Sequence, residues 1–338
     1  MQKNTEMTVL NVSGLNTIFQ TQDGIARAVN DVSFCMNPGE TLGIVGESGS
    51  GKSVTALSIM RLIDHPGSIA SGQIMFDGRD LLQLSERQMQ DVRGNRISMI
   101  FQEPMTSLNP LKKIGDQIGE MFIKHTDLSR KECSNKAVSM LERVQIPSPL
   151  KRAREYPHQL SGGMRQRVMI AMALACNPEI LIADEPTTAL DVTIQAQVLD
   201  LMLTLKSEIG TGILMITHDL GVVAQIAQQV IVMYAGEIVE SGDVFSIFEH
   251  PKHPYTKALL NSTLKPGSKQ GQKRKKLQEI QGMVPSLYDL PSGCHFFERC
   301  PEAVEECLRF EQHLKDVGNG CLVRCIKFED IHSKDGRV

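Results

Sequence analysis

The stretch that decides the fold of this 338-residue chain reads Gly46-Glu47-Ser48-Gly49-Ser50-Gly51-Lys52-Ser53, with Val54 directly after it. The apolar run 41–45 before it predicts a buried strand, and the residues after it predict a helix. This is the spacing and the context of a phosphate-binding loop, in which glycines let backbone N–H groups point at phosphate oxygens, Lys52 neutralises the terminal phosphates and Ser53 binds Mg²⁺. The alternative, a plain glycine-rich turn, leaves the Lys-Ser pair unexplained. We therefore predict that residues 46–54 contact a nucleotide.

Two more short apolar runs, 180–183 and 212–217, predict further buried strands. Alternation of such strands with helical patterns indicates an α/β fold whose sheet is covered on both faces. The first run ends in Asp184 and Glu185. Asp184 would bind Mg²⁺, and Glu185 lies one residue further on, where a carboxylate can polarise the water that attacks the γ-phosphate. An acidic pair after a strand can also belong to a solvated loop or a helix start. Because the same chain contains a phosphate-binding loop, the catalytic interpretation is favoured.

The composition is that of an ordinary globular protein, with 41% hydrophobic residues, 22% charged residues and a formal net charge of -3. Nothing in this balance requires a nucleic-acid partner, and we expect none. No apolar run approaches the roughly 18 residues that a membrane-spanning helix needs, and the first residues lead into no signal-like apolar core. We expect a chain that stays in the cytoplasm and reaches a membrane only through partner subunits.

A second glycine-containing segment reads Leu160-Ser161-Gly162-Gly163-Met164-Arg165-Gln166-Arg167. At a helix start, Ser161, Gly162 and Gly163 would form another anion-binding N-terminus, although an ordinary serine N-cap followed by glycines is the plainer interpretation. The segment resembles the signature of the ABC ATPase family, with Met164 where Gln is more usual. One nucleotide needs only one phosphate-binding loop. The resemblance therefore implies that this segment serves a nucleotide bound to another subunit.

Three further segments match the ABC ATPase family in chain order. They resemble its Q-loop, its D-loop and its switch histidine, and they read Phe101-Gln102-Glu103-Pro104, Ala189-Leu190-Asp191 and Thr217-His218-Asp219. The resemblance implies that Gln102 approaches the metal and the attacking water, that Asp191 organises a dimer interface, and that His218 contacts the γ-phosphate. Taken singly, a Gln or a His at the end of a strand is more often structural. The functional interpretation therefore depends on finding all three segments together.

The resemblance also implies a fold. We expect a P-loop NTPase core of the RecA-like class over residues 1–262, with an antiparallel β portion near the amino end and a helical subdomain at about 104–165. A polar, basic stretch from Leu264 to Lys276 predicts a solvated linker, so 263–338 would hold this linker and a small Cys-rich C-terminal domain. The family stacks an aromatic ring on adenine, and Phe19 is the best candidate, although it could equally be a core or hairpin residue.

The last fifth of the chain carries cysteines in the pattern Cys294-x5-Cys300-x6-Cys307-x17-Cys325. Four thiolates can bind an iron–sulfur cluster or zinc, and the spacing alone does not choose between them. Cys321 could replace Cys325 as the fourth ligand, or the cysteines could bind no metal and be small apolar residues. Three segments resemble C-terminal elements of oligopeptide and dipeptide importer ATPases, namely 250–256, 282–287 and 291–296. This resemblance implies a [4Fe-4S] cluster.

The family resemblance implies an ATP- and Mg²⁺-dependent ATPase that drives bacterial import of di- or oligopeptides. Its expected partners are a homologous ATPase subunit, two membrane-spanning permease subunits and an extracytoplasmic substrate-binding protein, with this chain peripheral on the cytoplasmic side of the inner membrane. Nickel chelates, glutathione or another solute are alternative cargoes. A soluble ABC ATPase of DNA repair or translation is the rival, but we find neither the paired cassettes nor the long coiled coils usual there. Glu185 and His218 argue against an inactive subunit.

Overall fold

The structure is a computed structural model, and it describes residues 8–102, 107–188, 191–262 and 280–329. Three predicted features lie outside the described residues: the linker at 264–276, Glu103 and Pro104 of the Q-loop segment, and Ala189 and Leu190 of the D-loop segment. No described helix is both long enough and apolar enough to cross a membrane.

Strands and helices are interspersed along the chain. The strands are β1 (Leu10–Thr21), β2 (Gly24–Met36), β3 (Thr41–Val45), β4 (Gly67–Phe76), β5 (Arg79–Asp80), β6 (Ile97–Ile100), β7 (Ile180–Asp184), β8 (Gly212–Ile216), β9 (Gln229–Tyr234), β10 (Glu237–Asp243), β11 (Lys315–Asp316) and β12 (Leu322–Val323). The helices are α1 (Lys52–Ile59), α2 (Glu86–Val92), α3 (Ile114–His125), α4 (Arg130–Arg143), α5 (Pro149–Arg152), α6 (Gly162–Leu174), α7 (Val192–Ile209), α8 (Leu220–Ile226), α9 (Val244–Glu249), α10 (Pro254–Ser262) and α11 (Glu306–Arg309). The α/β prediction is confirmed, and β3, β7 and β8 form where the apolar runs predict strands.

The chain divides into two compact units, each built from separate stretches of sequence. The first unit comprises the described residues of Met1–Asn11, Cys35–Thr41 and Ile74–Ile216, and the second comprises those of Val12–Phe34, Leu42–Gln73 and Thr217–Val338.

Three parallel strands form the centre of the first unit. β6 pairs with β7, and β7 pairs with β8, with Ile97 opposite Ile180 and Ile180 opposite Gly212. Every residue of these strands is buried, which explains their unbroken apolar runs, because a parallel sheet is covered on both faces. β7 ends at Asp184, and Glu185 follows directly after the strand.

Three helices, α3, α4 and α5, lie in the part of the chain where the sequence predicts a helical subdomain. The start of α4 is explained by a capping box, in which the Ser129 hydroxyl accepts the Glu132 N–H and the Glu132 carboxylate accepts the Ser129 N–H. The same unit contains α6, which starts at the signature segment.

In the second unit, β3 runs parallel to β9, with Leu42 opposite Gln229. β9 continues into an antiparallel set in the order β9, β10, β12 and β11, so residues near the carboxyl end extend the sheet. Val45, at the end of β3, shares one hydrophobic core with Tyr255 and with Phe296. Phe296 belongs to the C-terminal segment, residues 280–329. The strand that leads into the phosphate-binding loop is thus packed together with the C-terminal segment.

A separate sheet has the strand order β2, β1, β4 and β5. β1 ends at Thr21 and β2 begins at Gly24, so these neighbours form a hairpin and run antiparallel. β4 and β5 are also antiparallel, with Met75 opposite Asp80. The predicted antiparallel β portion near the amino end is confirmed.

Candidate nucleotide-binding site

The phosphate-binding loop lies between β3 and α1 in the second unit. Two of its glycines are required by their surroundings as well as by their backbone angles. A Cβ on Gly46, where φ is 152°, would lie 2.2 Å from the Met233 carbonyl oxygen, and one on Gly51, where φ is 99°, would lie 2.4 Å from the Ala28 carbonyl oxygen. Only glycine combines such angles with such close approach of two backbones. The loop is therefore a tight structure fixed by its neighbours.

Lys52 points back into the loop that precedes it. Its Nζ donates to the carbonyl oxygens of Gly46 and Glu47, both at 2.8 Å, and to Ser50 Oγ at 3.3 Å. The residue is only 6% exposed. The loop thus curls around one buried ammonium group, which concentrates positive charge at the N-terminus of α1, where helix N–H groups also favour an anion.

The other residues of this loop that are predicted to contact the nucleotide differ in solvent exposure. Ser48 and Gly49 are exposed at its rim, whereas Ser53 and Val54 are half-buried in the first turn of α1. This arrangement leaves the backbone of the rim open to solvent while the helix start is anchored. A phosphate chain could therefore approach the loop from the Ser48–Gly49 side.

His218, another predicted site residue of the second unit, lies two residues after the end of β8. It is exposed, and its neighbours are firmly held: Thr217 N–H donates to the Ile44 carbonyl at 3.3 Å, and Asp219 caps α8 by accepting the Gly221 N–H at 2.9 Å. The backbone on both sides of His218 is thereby fixed, and the His218 side chain is exposed.

Phe19 is half-buried on β1 and packs against the chain at Gly67. A Cβ on Gly67 would lie 2.6 Å from Phe19 Cε1. This contact explains why glycine occupies position 67. The adenine-stacking role of Phe19 stays a prediction.

In the first unit, the structure brings Gln102 and Glu185 together. Gln102 Nε2 donates to Glu185 Oε2 at 3.1 Å, and Thr188 Oγ1 donates to the same oxygen at 2.9 Å. Glu185 has φ of 46°, which is uncommon for a residue with a side chain, and its N–H donates to the Ile216 carbonyl at 2.8 Å. Asp184 lies directly before it at the end of β7 and is 4% exposed. Two donors thus orient the Glu185 carboxylate.

The signature segment begins α6. The Ser161 hydroxyl accepts the Met164 N–H at 3.3 Å and so caps the helix, as the plainer interpretation proposes. Ser161 and Gly162 are exposed, and a Cβ on Gly162 would meet nothing within 4 Å. A Cβ on Gly163 would lie 3.1 Å from Ile194 Cγ2. Capping uses only one N–H of the first turn, so the helix start can still face an anion from another molecule.

Asp191, the described part of the D-loop segment, is the N-cap of α7. Its Oδ1 accepts the Ile194 N–H at 2.9 Å. Within this chain Asp191 therefore stabilises the start of a helix, and its role at a dimer interface stays a prediction.

Four cysteines line one small cavity of about 10 Å³ in the second unit, together with His253 and other residues. They are Cys294, Cys300, Cys307 and Cys325. Cys321 lies elsewhere, with its Sγ 4.0 Å from Glu240 Oε1. Burial, together with a smaller effect of the neighbouring thiols, raises the pKa of Cys294 to about 12. Among the described residues, no group of three or more His, Cys, Asp or Glu side chains is arranged to hold a metal ion.

Comparison with known proteins places these features in a family. The family described as ABC transporter matches residues 29–188, and the one described as oligopeptide/dipeptide transporter, C-terminal region, matches residues 239–307. A protein of Brucella melitensis named as a peptide import ATP-binding protein is 55% identical over 331 residues, covering 96% of this chain and 98% of the relative. This chain belongs to the ABC transporter family. As an ABC cassette, it binds ATP with Mg²⁺ and hydrolyses it.

Other ABC transporter proteins agree over similar lengths. The dipeptide transport ATP-binding protein DppD of Escherichia coli is 47% identical over 94% of this chain and 96% of its own length, and the oligopeptide transport ATP-binding protein OppD of Bacillus subtilis is 53% identical over 90% and 84%. A solved ATP-binding cassette, dimeric in a post-hydrolysis state with ADP and phosphate, is similar with a TM-score of 0.63 and 28% identity over 70% of this chain and 98% of that one. The fold is the ABC ATPase cassette.

Sequence reasoning missed two side chains that contact the predicted site residues of this ABC subunit. Thr188 holds the Glu185 carboxylate from three residues further on, and Arg299 holds the Glu47 carboxylate of the phosphate-binding loop. The first contact joins residues three positions apart, and this short spacing was the only sequence signal for it. The second joins residues far apart in sequence, and no local pattern indicates it.

Proposed function

We propose that this chain is the ATP-hydrolysing subunit of an ABC importer of dipeptides or oligopeptides. The observation that carries the proposal is the match of residues 239–307 to the C-terminal region of oligopeptide/dipeptide transporters, beyond the ABC match at 29–188. Relatives whose names specify peptide, dipeptide or oligopeptide transport cover 90% or more of the chain. The cassette would span 1–262, with a helical subdomain at about 104–165 and a C-terminal domain at 263–338.

The proposed roles follow from the chemistry of each side chain. Residues 46–54, with Lys52, bind the phosphates of ATP, while Phe19 stacks on adenine. Glu185 accepts a proton from the attacking water, and Gln102, which donates to its carboxylate, orients that water. His218 stabilises charge on the transferred phosphoryl group. Ser53, Gln102 and Asp184 are the proposed Mg²⁺ contacts, oxygen atoms of the kind that this ion prefers.

The proposed assembly pairs this chain with a homologous ATPase subunit. The exposed start of α6 would close over a nucleotide held by that subunit, with Asp191 at the junction. The similar solved cassette is dimeric, which supports such pairing. Two permease subunits would carry the pair on the cytoplasmic face of the inner membrane, and an extracytoplasmic binding protein would deliver the peptide.

We also propose that the four cysteines of the cavity hold a [4Fe-4S] cluster. Clusters of this kind are held by four cysteine thiolates. What supports the proposal is that four free cysteines line one cavity, although their thiols are not arranged there in the geometry of a metal site. Burial raises the pKa of the Cys294 thiol because a thiolate loses its hydration there, and iron would supply compensating positive charge. Cys325 fits this set, whereas Cys321 lies apart beside Glu240.

The test of the transport proposal is peptide uptake by the assembled transporter. Reconstituted with its permeases and binding protein, the transporter should import a labelled dipeptide or oligopeptide in an ATP-dependent way, and Glu185→Gln should reduce ATP turnover at least about a hundredfold while ATP still binds. Glu305→Gln is the matched control, because Glu305 is an exposed carboxylate of the C-terminal segment. Unchanged hydrolysis by Glu185→Gln would reject the catalytic role. Uptake of nickel chelates or glutathione, with no peptide uptake, would reject the cargo.

A further inference from the structure

The phosphate-binding loop is held by a residue 252 positions further along the chain. Arg299 Nη1 donates to Glu47 Oε2 at 2.7 Å, and Nη2 donates to Glu47 Oε1 at 3.0 Å. The Arg299 side chain is only 4% exposed and that of Glu47 is 27% exposed. A two-point pair between guanidinium and carboxylate fixes orientation as well as distance, and this one is largely shielded from water. The contact therefore positions Glu47 and is more than a loose surface ion pair.

Arg299 is itself fixed by its remaining donors. Nε donates to the Gln281 carbonyl at 3.0 Å, Nη1 to the Tyr234 hydroxyl at 3.3 Å and Nη2 to the Ile280 carbonyl at 3.3 Å. Guanidinium has five N–H donors, so all five have an acceptor here. The side chain cannot leave Glu47 without giving up contacts that hold it in place. It acts as a rigid brace between the C-terminal segment and the loop.

The backbone of Glu47 is held from the same side. Its N–H donates to the Tyr255 hydroxyl at 2.9 Å, and Tyr255 is fully buried in the core that includes Phe296. The Glu47 carbonyl accepts from Lys52 Nζ at 2.8 Å. Any displacement of Glu47 would therefore move an acceptor of the ammonium that binds phosphate.

We propose that Arg299 is a positioning residue for ATP binding, which holds Glu47 so that the loop keeps its phosphate-binding geometry. The proposal rests on ATP binding at this loop and is independent of peptide as the cargo. Without Arg299, the Glu47 carboxylate loses its countercharge within the loop that receives a triphosphate. Negative charge there opposes the nucleotide, and an unbraced Glu47 shifts the acceptor of Lys52. Neutralising Glu47 as well removes the repulsion, so the two residues should act as one unit.

The experiment is a double-mutant cycle on the full-length chain. Arg299→Met should weaken ATP binding about tenfold, a loss of the size expected when one partner of a largely shielded charged hydrogen-bonded pair is removed. In the assembled transporter, the KM for ATP should rise similarly, with kcat at saturating ATP within about a factor of two. Adding Glu47→Gln to Arg299→Met should restore binding to the level of Glu47→Gln alone. A residue that only stabilised the C-terminal segment would cause the same loss in both backgrounds.

Three further variants make every outcome decisive. Arg309→Met removes an exposed ion pair with Glu305 from the same segment and should leave ATP binding unchanged. If Arg299→Met does not fold, Arg299→Lys keeps the charge without the two-point geometry, and its smaller loss should again disappear with Glu47→Gln. Unchanged binding in a folded Arg299 variant, or additive losses, would overturn the proposal. Lys52→Ala checks the premise, because ATP binding that survived it would disprove the ATP site itself and not merely the brace.

Discussion

We expect the stability of this ABC subunit to depend on pH through one buried histidine. His253 is 1% exposed, and its Nδ1 accepts the Tyr255 N–H at 3.0 Å. Burial lowers the pKa of His253 to about 3, with a smaller lowering from Lys257, while the Arg324 backbone and Glu302 act in the opposite direction. A protonated imidazole would have to give up the Tyr255 contact, because both ring nitrogens then carry hydrogen.

The sign and size of the effect follow from linkage. The folded-state pKa of His253 lies below the ordinary value of 6.5, so the unfolded chain binds the proton first on acidification. The contribution of His253 to stability is complete above the unfolded pKa and is lost as the pH falls from there towards the folded pKa. Between pH 7 and pH 5 this lowers the free energy of unfolding by about 2 kcal/mol.

The assay is urea denaturation of the full-length chain at pH 7 and pH 5, comparing the wild type with His253→Asn. The Asn carboxamide oxygen can replace Nδ1 as the acceptor of the Tyr255 N–H and does not titrate. Burial raises the pKa of Glu240, whose carboxylate accepts the His253 N–H at 2.8 Å, but that group is present in both proteins and cancels in the difference. The wild type should lose about 2 kcal/mol more than the variant. Equal losses in the two proteins would refute the assignment.

Two other predictions concern the signature helix and the cysteine cavity. Gly162→Ala should not lower the melting temperature, because an added Cβ meets nothing within 4 Å and Ala suits a helix better than Gly. It should nevertheless lower ATP turnover of the assembled transporter about tenfold by crowding a phosphate held by the partner. Unaltered turnover would show that the helix start meets no nucleotide. Anaerobically purified protein should contain roughly four iron and four sulfide per chain, with iron lost in Cys325→Ser and kept in Cys321→Ser. Zinc-loaded, colourless protein would contradict the cluster.

The fold class and the local motifs could be predicted from the sequence because each depends on neighbours along the chain. The phosphate-binding loop is contiguous, and its glycines, Lys52, the flanking strand and the first turn of the helix lie within 14 residues, from Thr41 to Val54. The buried strands β7 and β8 were visible as apolar runs because a sheet covered on both faces accepts little else. The signature segment was likewise contiguous and could be recognised without knowing where it lies.

The tertiary structure alone decided which distant residues meet. It placed Cys325 with Cys294, Cys300 and Cys307 and left Cys321 beside Glu240, although the two candidates are only four positions apart. It also joined Arg299 to Glu47, because Phe296 of the C-terminal segment shares one buried core with Val45 at the end of β3. Spacing and periodicity report local backbone geometry, whereas such contacts depend on how buried surfaces from separate segments fit together. That is why the sequence determined the chemistry of the nucleotide loop, and only the folded chain determined what holds it in place.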